Sequence, residues 1–426
     1  MMILRPLLYR GSRFGIAVTL LLVTAVALAS DDLLLLDDDL LLDEGIELQT
    51  PSRSEAPDPA VQAAADEAHT ALFLEDRFPS ATTCATCHEK HYEDWSVSGH
   101  AYALMSPSFN AMSATTIKRT NGTAGDFCIR CHSQVSAQLS EPLFMPMLER
   151  HPASIEGITC IVCHRVAENY GRVSGRTHVV EGDVTAPVYG TGGNAILEDV
   201  LANSSEWRVT TEATASGRAI HSEVVRFETL SEPAFCGTCH DVPIPSGLRG
   251  QELNTQYRNS PAARDGVSCQ DCHMGRVPGI ASGYEERPAA VVGGRATAPR
   301  KHSNHMFAGP DYSIIHPGIF PHNTRGQEMA TLYEWLDFDY EAGWGTDAFE
   351  DTVTDDRVFP DRWRTIDDRY AAREIIEEQF ELLRRMDEQR YQLLRRGYQL
   401  RQVEVLRNDA DGLRFRVEVH NATDGH

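Results

Sequence analysis

The chain has 426 residues, too many for one small core and more than one average domain needs. Its net charge of −23 excludes nucleic acid as a partner, because phosphates would be repelled by so acidic a surface, and leaves basic partners or simple solubility. Charged residues are 24% and hydrophobic residues 42% of the sequence, an ordinary globular balance that excludes wholesale disorder.

The first residues read as an address. Arg5, Arg10 and Arg13 form a positive segment, "GIAVTLLLVTAVALA" over 15–29 is apolar, and Ala27-Leu28-Ala29 offers small residues at a cleavage site. Residues 1–29 are therefore expected to be a secretory signal peptide, which would make the protein periplasmic or otherwise exported; the competing reading, an uncleaved anchor, calls for a slightly longer apolar run. No second apolar run of spanning length follows, so no membrane span is expected after cleavage. Over 30–75, "DDLLLLDDDLLLDEG" and then Pro, Ala, Glu and Asp form an acidic low-complexity leader with no chemistry of its own.

From 76 to 330 the cysteines carry the argument. All ten fall into five pairs with two residues between them: Cys84/Cys87, Cys128/Cys131, Cys160/Cys163, Cys236/Cys239 and Cys269/Cys272. Each pair is followed at once by a histidine: His88, His132, His164, His240 and His273. A disulfide framework, zinc sites and redox dithiols all use paired cysteines, but none needs a histidine directly after the second one. With 17 histidines in 426 residues, five such coincidences have a chance of about one in ten million. Cys-x-x-Cys-His is the attachment signal of a c-type haem, in which two thiols bond one porphyrin edge and the adjacent imidazole reaches the iron. Five covalently attached haems c are expected. The motifs are irregularly spaced, which excludes a solenoid repeat. With aromatic residues at only 8%, porphyrins must supply much of the interior.

Twelve histidines remain for the opposite faces of the irons, more than five haems need. After His88, Tyr92 and Trp95 stand three apart, as on one helical face, and His100 follows twelve residues from His88. Twelve helical residues span roughly 18 Å, whereas two imidazole nitrogens on one iron are only about 4 Å apart. His100 is therefore expected on a neighbouring haem and not on that of His88. His178, in "GRTHVV", is a further candidate. His151 precedes a proline and suits a loop, His302 competes with His305, and His91 reads as a polar neighbour of the site. Met274 stands too near His273 to reach the opposite face of an iron and reads as packing.

"CATCHEKHYEDWSVSGHA" resembles the opening of multihaem cytochromes related to hydroxylamine oxidoreductase and its tetrahaem electron acceptor. "GITCIVCHRV", "FCGTCHDV" and "GVSCQDCHMG" are similar to other pieces of that family, so the resemblance runs from about residue 80 to the end. It implies distal ligands at His221, some fifteen residues before "FCGTCH", and at His305 in "HSNHMFAG". It also draws attention to His426, because relatives carry an "N-x-T-G-H" segment in a strand that continues into a β domain.

Residues 331–402 are expected to be helical, with a long helix over 363–397 phased by Ile376, Phe380, Leu383, Tyr391, Leu394 and Tyr398. Residues 403–426 alternate on both sides of Asp411-Gly412, a hairpin signal. The expected fold is mainly α, with long loops wrapped around a cluster of c-type haems, then a long helix and the start of a β domain that the sequence cuts short.

Two functions follow. The first is an exported pentahaem cytochrome that carries electrons between redox proteins in respiration. The alternative is an oxidoreductase acting on a small nitrogen or sulfur compound at one five-coordinate haem. The sequence has no Cys-x-x-Cys-Lys motif, so the lysine-ligated haem of pentahaem nitrite reductases is absent. A component of a larger redox complex is a third reading.

Overall fold

The computed structural model describes residues 77–426, apart from 170–174, 176, 213–214, 244–248, 312–321 and 355. The signal peptide and the acidic leader lie outside the described residues. From Thr70 on, the chain forms one compact unit.

Short helices joined by turns carry the motifs. Ser80 caps Ala81–Ala85, with its hydroxyl accepting from the Thr82 amide, and that helix delivers Cys84. Ser268 and Asp271 close a reciprocal capping box on Cys269–His273. Prolines open Pro107–Arg119, Pro152–Ile155 and Pro233–Gly237, where a missing N–H costs nothing. His151 fulfils a loop role: its Nδ1 accepts from the Ala153 amide at 3.1 Å and caps the helix Pro152–Ile155.

The structure is mixed, 41% helical, which corrects the expectation of a mainly α fold. Between the motifs, short runs pair into ribbons, such as the valine-bearing Val188–Gly190 beside Val224–Arg226, and the polar Glu285–Pro288 beside Pro299–His302. Every sheet among the described residues has two strands, so no extended sheet forms.

The long helix spans Ile366–Gly397. It buries Arg369, Ala372, Ile375, Ile376, Gln379, Leu383 and Met386, a stripe recurring every three or four residues. Its first half closes an aromatic core with Trp335, Phe338, Trp344 and Trp363, and its second half reaches Val97, Met306 and Ala308. Inside this region Arg369 donates from Nε to Glu350 at 2.8 Å and from Nη1 to the Trp363 and Arg364 carbonyls. Gly345, at φ +73°, is required here, because a Cβ would strike the Arg369 backbone.

The helix stops at Gly397, and Tyr398 is already extended, at φ −136° and ψ 146°. Tyr398–Asp409 and Gly412–Asn421 then form an antiparallel ribbon, so the hairpin begins before 403 and Tyr398 belongs to it. Its two turn residues are Ala410 and Asp411, one position earlier than the Asp-Gly signal suggests. The Asp409 carboxylate accepts from the Asp411 amide at 3.0 Å and fixes that turn.

Candidate functional site

Each motif occupies one helical turn. The His88 amide donates to the Cys84 carbonyl at 2.8 Å, and the His240 amide to that of Cys236 at 3.0 Å. On such a turn residues three apart are neighbours on one face, which brings the two cysteines of a pair within reach of one edge of a bound group.

The five motifs are contiguous although the sequence scatters them. The thiol of Cys84 lies against Cys160, that of Cys131 against Cys239, and that of Cys236 against Cys269. Cys163 lies within electrostatic reach of Cys236 and Cys239. The first motif therefore meets the third, the second meets the fourth, and the fourth also meets the third and the fifth. None of these cysteines is disulfide-bonded, and all ten are half-buried.

Cys87 packs against the apolar cluster of Leu197, Val200, Trp207, Val209, Ile220 and Val292. The Thr86 hydroxyl donates to its sulfur at 3.7 Å. The cause is a backbone tie: the Val291 amide donates to the Cys87 carbonyl at 2.8 Å and draws the ribbon of Val291 and Val292 onto the first motif. A free thiol behaves as a small hydrophobe, so Cys87 joins the aliphatic side chains that arrive beside it.

The histidines are paired across the sequence. His88 and His221 face each other with ring centroids 6.4 Å apart and planes 8° from parallel. His164 and His305 stand 6.4 Å apart, His100 and His240 6.0 Å, and His273 and His426 6.1 Å. A metal–nitrogen bond is about 2.0 Å and an imidazole centroid lies roughly 1.1 Å behind its nitrogen, so two imidazoles on opposite faces of one iron have centroids about 6.3 Å apart. All four pairs have that separation. Each joins a histidine of one motif to one far from it in sequence. His100 sits beside the fourth motif and not beside His88.

The hydrogen bonds of these rings fit the same use. Nδ1 of His88 faces the Ala289 carbonyl at 3.0 Å, that of His132 faces Ala103 at 2.8 Å, that of His164 faces Tyr189 at 2.8 Å, and that of His273 faces Ala308 at 2.8 Å. With its proton committed to a carbonyl, Nδ1 leaves the Nε2 lone pair for a metal. Burial lowers the histidine pKa to about 4 at His88, His221 and His305 and to about 3 at His100. His132, His164, His240 and His426 are lowered by burial too. These imidazoles are therefore neutral, the state in which they ligate iron. Two thiols and an imidazole per motif, with a second imidazole across the gap at four of the five, suit a c-type haem, and the residues present fit it.

Residues 83–165 match the family model described as cytochrome c554 and c-prime. That span holds the first three motifs. The match supports a multihaem c-type cytochrome. No curated protein matches the chain. Among solved structures, a penta-haem cytochrome c552 from Thermochromatium tepidum is similar at 20% identity and a TM-score of 0.35, over 54% of this chain and 57% of that one. The chain thus spans a little over half of that structure.

The remaining distal candidate, His178, is not placed opposite a motif histidine. It is exposed on the strand Thr177–Val179 and pairs through its backbone with Glu168. It does not face His132. The ring against His132 is Phe109, stacked at 3.8 Å, and among the described residues no histidine stands opposite it. Phe109, Ser113 and Ile117 form the inward stripe of the helix Pro107–Arg119, so that helix covers the His132 ring itself. His316 lies outside the described residues.

Three further histidines are buried in places that the sequence does not announce. His91 packs 4.4 Å from His302 and 4.9 Å from His305, and His302 lies 3.6 Å from Asp94. His322 is wedged against Trp95 and Tyr102, with Nε2 at 2.7 Å from the Ala101 carbonyl. The i, i+3 spacing of His88 and His91 is the one available signal for the first of these. His322 is fixed by contacts more than two hundred residues away, beyond any local pattern.

Proposed function

We propose that this chain is an exported pentahaem cytochrome c that carries electrons between redox proteins. When bound, the haems supply one-electron chemistry, while the chain holds them and sets their surroundings. Cys84/Cys87, Cys128/Cys131, Cys160/Cys163, Cys236/Cys239 and Cys269/Cys272 attach them, and His88, His132, His164, His240 and His273 ligate them. His221, His305, His100 and His426 close the opposite faces of the first, third, fourth and fifth haems. The observation that carries this reading is the set of four histidine pairs at 6.0–6.4 Å. Contact between neighbouring motifs supports a continuous relay, because electron transfer needs haem edges close together. The signal peptide supports export to the periplasm, where c-type haems are attached. The acidic surface suits basic redox partners. The expected test result is five acid-acetone-resistant haems per chain, at least four of them low-spin in the ferric state; three or fewer covalent haems contradict it.

One observation favours a second reading at a single position. His132 faces no histidine among the described residues, so no sixth ligand is assigned to the haem of the second motif. In that reading the other four haems deliver electrons to a small nitrogen or sulfur compound bound there. Rapid carbon monoxide binding to one reduced haem in five supports it, and the absence of binding leaves only the carrier.

A further inference from the structure

Arg300 is a cation that no described carboxylate neutralises. The chain carries 62 acidic residues, and yet no ion pair and no hydrogen bond from the Arg300 guanidinium is found among the described residues. Burial is the sole influence on its pKa and lowers it, so no carboxylate lies close enough to oppose the cost. Arg300 is half-buried, and a cation partly withdrawn from water without an anion is unfavourable.

Its position is set by the strand Pro299–His302, in which Arg300 and His302 point inward while Pro299 and Lys301 are exposed. Opposite Arg300 in the ribbon stands Arg287, a second cation, already neutralised by Glu285 at 2.7 Å. The Arg300 guanidinium lies over Gly192, where a Cβ would come within 3.0 Å of Nη1, so the glycine leaves room for it. The ribbon leads straight into Ala289, whose carbonyl faces Nδ1 of His88, and Gly192 stands three residues from Tyr189, whose carbonyl faces Nδ1 of His164. The guanidinium is thus in electrostatic reach of His88, His164 and His221. Arg165, the other buried arginine in this neighbourhood, is different: its guanidinium donates to the carbonyls of Gly182, Asp183 and Ala186.

We infer that Arg300 binds a porphyrin carboxylate of the haem seated between His88 and His221, and so raises that haem's reduction potential. The inference rests on the haem reading above. Two of the three imidazoles within its reach flank that gap, and each haem brings two carboxylates, which are the anions the chain itself does not provide there. Arginine suits the role, because its planar fork meets a carboxylate with two parallel hydrogen bonds. A fixed cation beside an iron favours the reduced form, which carries one positive charge fewer.

The experiment is potentiometric titration of the full-length holoprotein and of Arg300→Gln and Arg300→Lys. His221→Ala serves as a marker, since losing that ligand turns the first haem high-spin and identifies its step. In Arg300→Gln the first haem should be harder to reduce by about tenfold in equilibrium constant, ~59 mV for a one-electron step. Arg300→Lys should recover much of the shift, and all three proteins should carry the same number of covalent haems. Unchanged potentials at the first haem, or a shift confined to other haems, would overturn the assignment. A shift that appears only with added phosphate or chloride would place a free anion at Arg300 and overturn it too. A reduced haem count in the wild type would instead refute the underlying haem reading, so the two failures are distinct.

Discussion

Two regions of this chain solve the same problem in different ways. The C-terminal region builds an interior from its own side chains: Trp335, Phe338, Trp344, Trp363, Ala372, Ile375 and Ile376 pack as one cluster, and three of the five tryptophans of the chain are in it. The motif region divides its apolar residues among smaller clusters, one of them made of Phe78, Val135, Ala153 and a few aliphatic side chains around Ile161. Between those clusters stand paired histidines and half-buried cysteines. A core of side chains is complete when the chain folds, whereas a core designed around a prosthetic group is complete only when the group is attached. On the proposed reading, the low aromatic content of the whole sequence conceals one ordinary core and one that depends on its cofactor.

The strongest way to break this comparison is to prevent attachment. A chain in which all ten cysteines are serine should lose amide protection across 81–308 in hydrogen exchange. Protection across 332–386 should persist, since the aromatic cluster is intact. Equal loss in both regions would show that the long helix also depends on the haems, through its contacts with Val97, Met306 and Ala308.

Within the helical core, Trp363→Ala removes a ring with no exposure and the hydrogen bond from its Nε1 to the Glu334 carbonyl. A loss of about 3–5 kcal/mol is expected, read as earlier melting of this region with the haem spectrum unchanged. A cost under about 1 kcal/mol would mean that the cluster does not hold the region together.

The buried Arg369–Glu350 pair sharpens the comparison by pH. The hydrogen bond from Arg369, opposed by burial, holds the Glu350 carboxyl below its ordinary value. Its stabilisation is therefore fully present above the ordinary pKa of about 4.3 and is lost as pH falls through the lower folded value. Glu350→Gln leaves Arg369 buried without its anion, at a cost of roughly 3 kcal/mol near neutral pH. The variant should approach the wild type as pH drops below about 4. A constant difference at every pH would show that the charge of Glu350 is irrelevant.

What is legible in the sequence is local. A Cys-x-x-Cys-His motif is five residues long, and its chemistry is written in its spacing. What surrounds each thiol is not: Cys87 meets Leu197, Val200 and Trp207 only because the Val291 ribbon folds back onto the first motif, two hundred residues on. The long helix is announced by its three-and-four stripe, although Gly397 ends it before Tyr398, a position that fits the helical phase. Which histidine faces which motif is not local either. The length of a helix places His100 on a neighbouring haem, but that its neighbour is the fourth motif depends on folding that brings His100 and Ile158 together. The Ile158 amide donates to the His100 carbonyl, and Gly157 at φ +66° leaves no room for a Cβ there. His178 shows the opposite case, since a histidine flanked by β-branched residues reads the same whether its strand turns it inward or out. The small ribbons between motifs are hidden for a related reason: strands of two to four residues have too little pattern to be seen before their partners are known.

The central claim is that histidines distant in sequence close the haems of other motifs, and His100 tests it most directly. In the full-length ferric protein, His100→Ala should convert one low-spin haem to high-spin, and that haem should be the one attached at Cys236 and Cys239, identified by its loss in Cys239→Ser. The haem of His88 should keep its spectrum. A high-spin signal from the haem of His88, or no change of spin state at all, would contradict the pairing of His100 with His240 and with it the arrangement proposed for all four pairs.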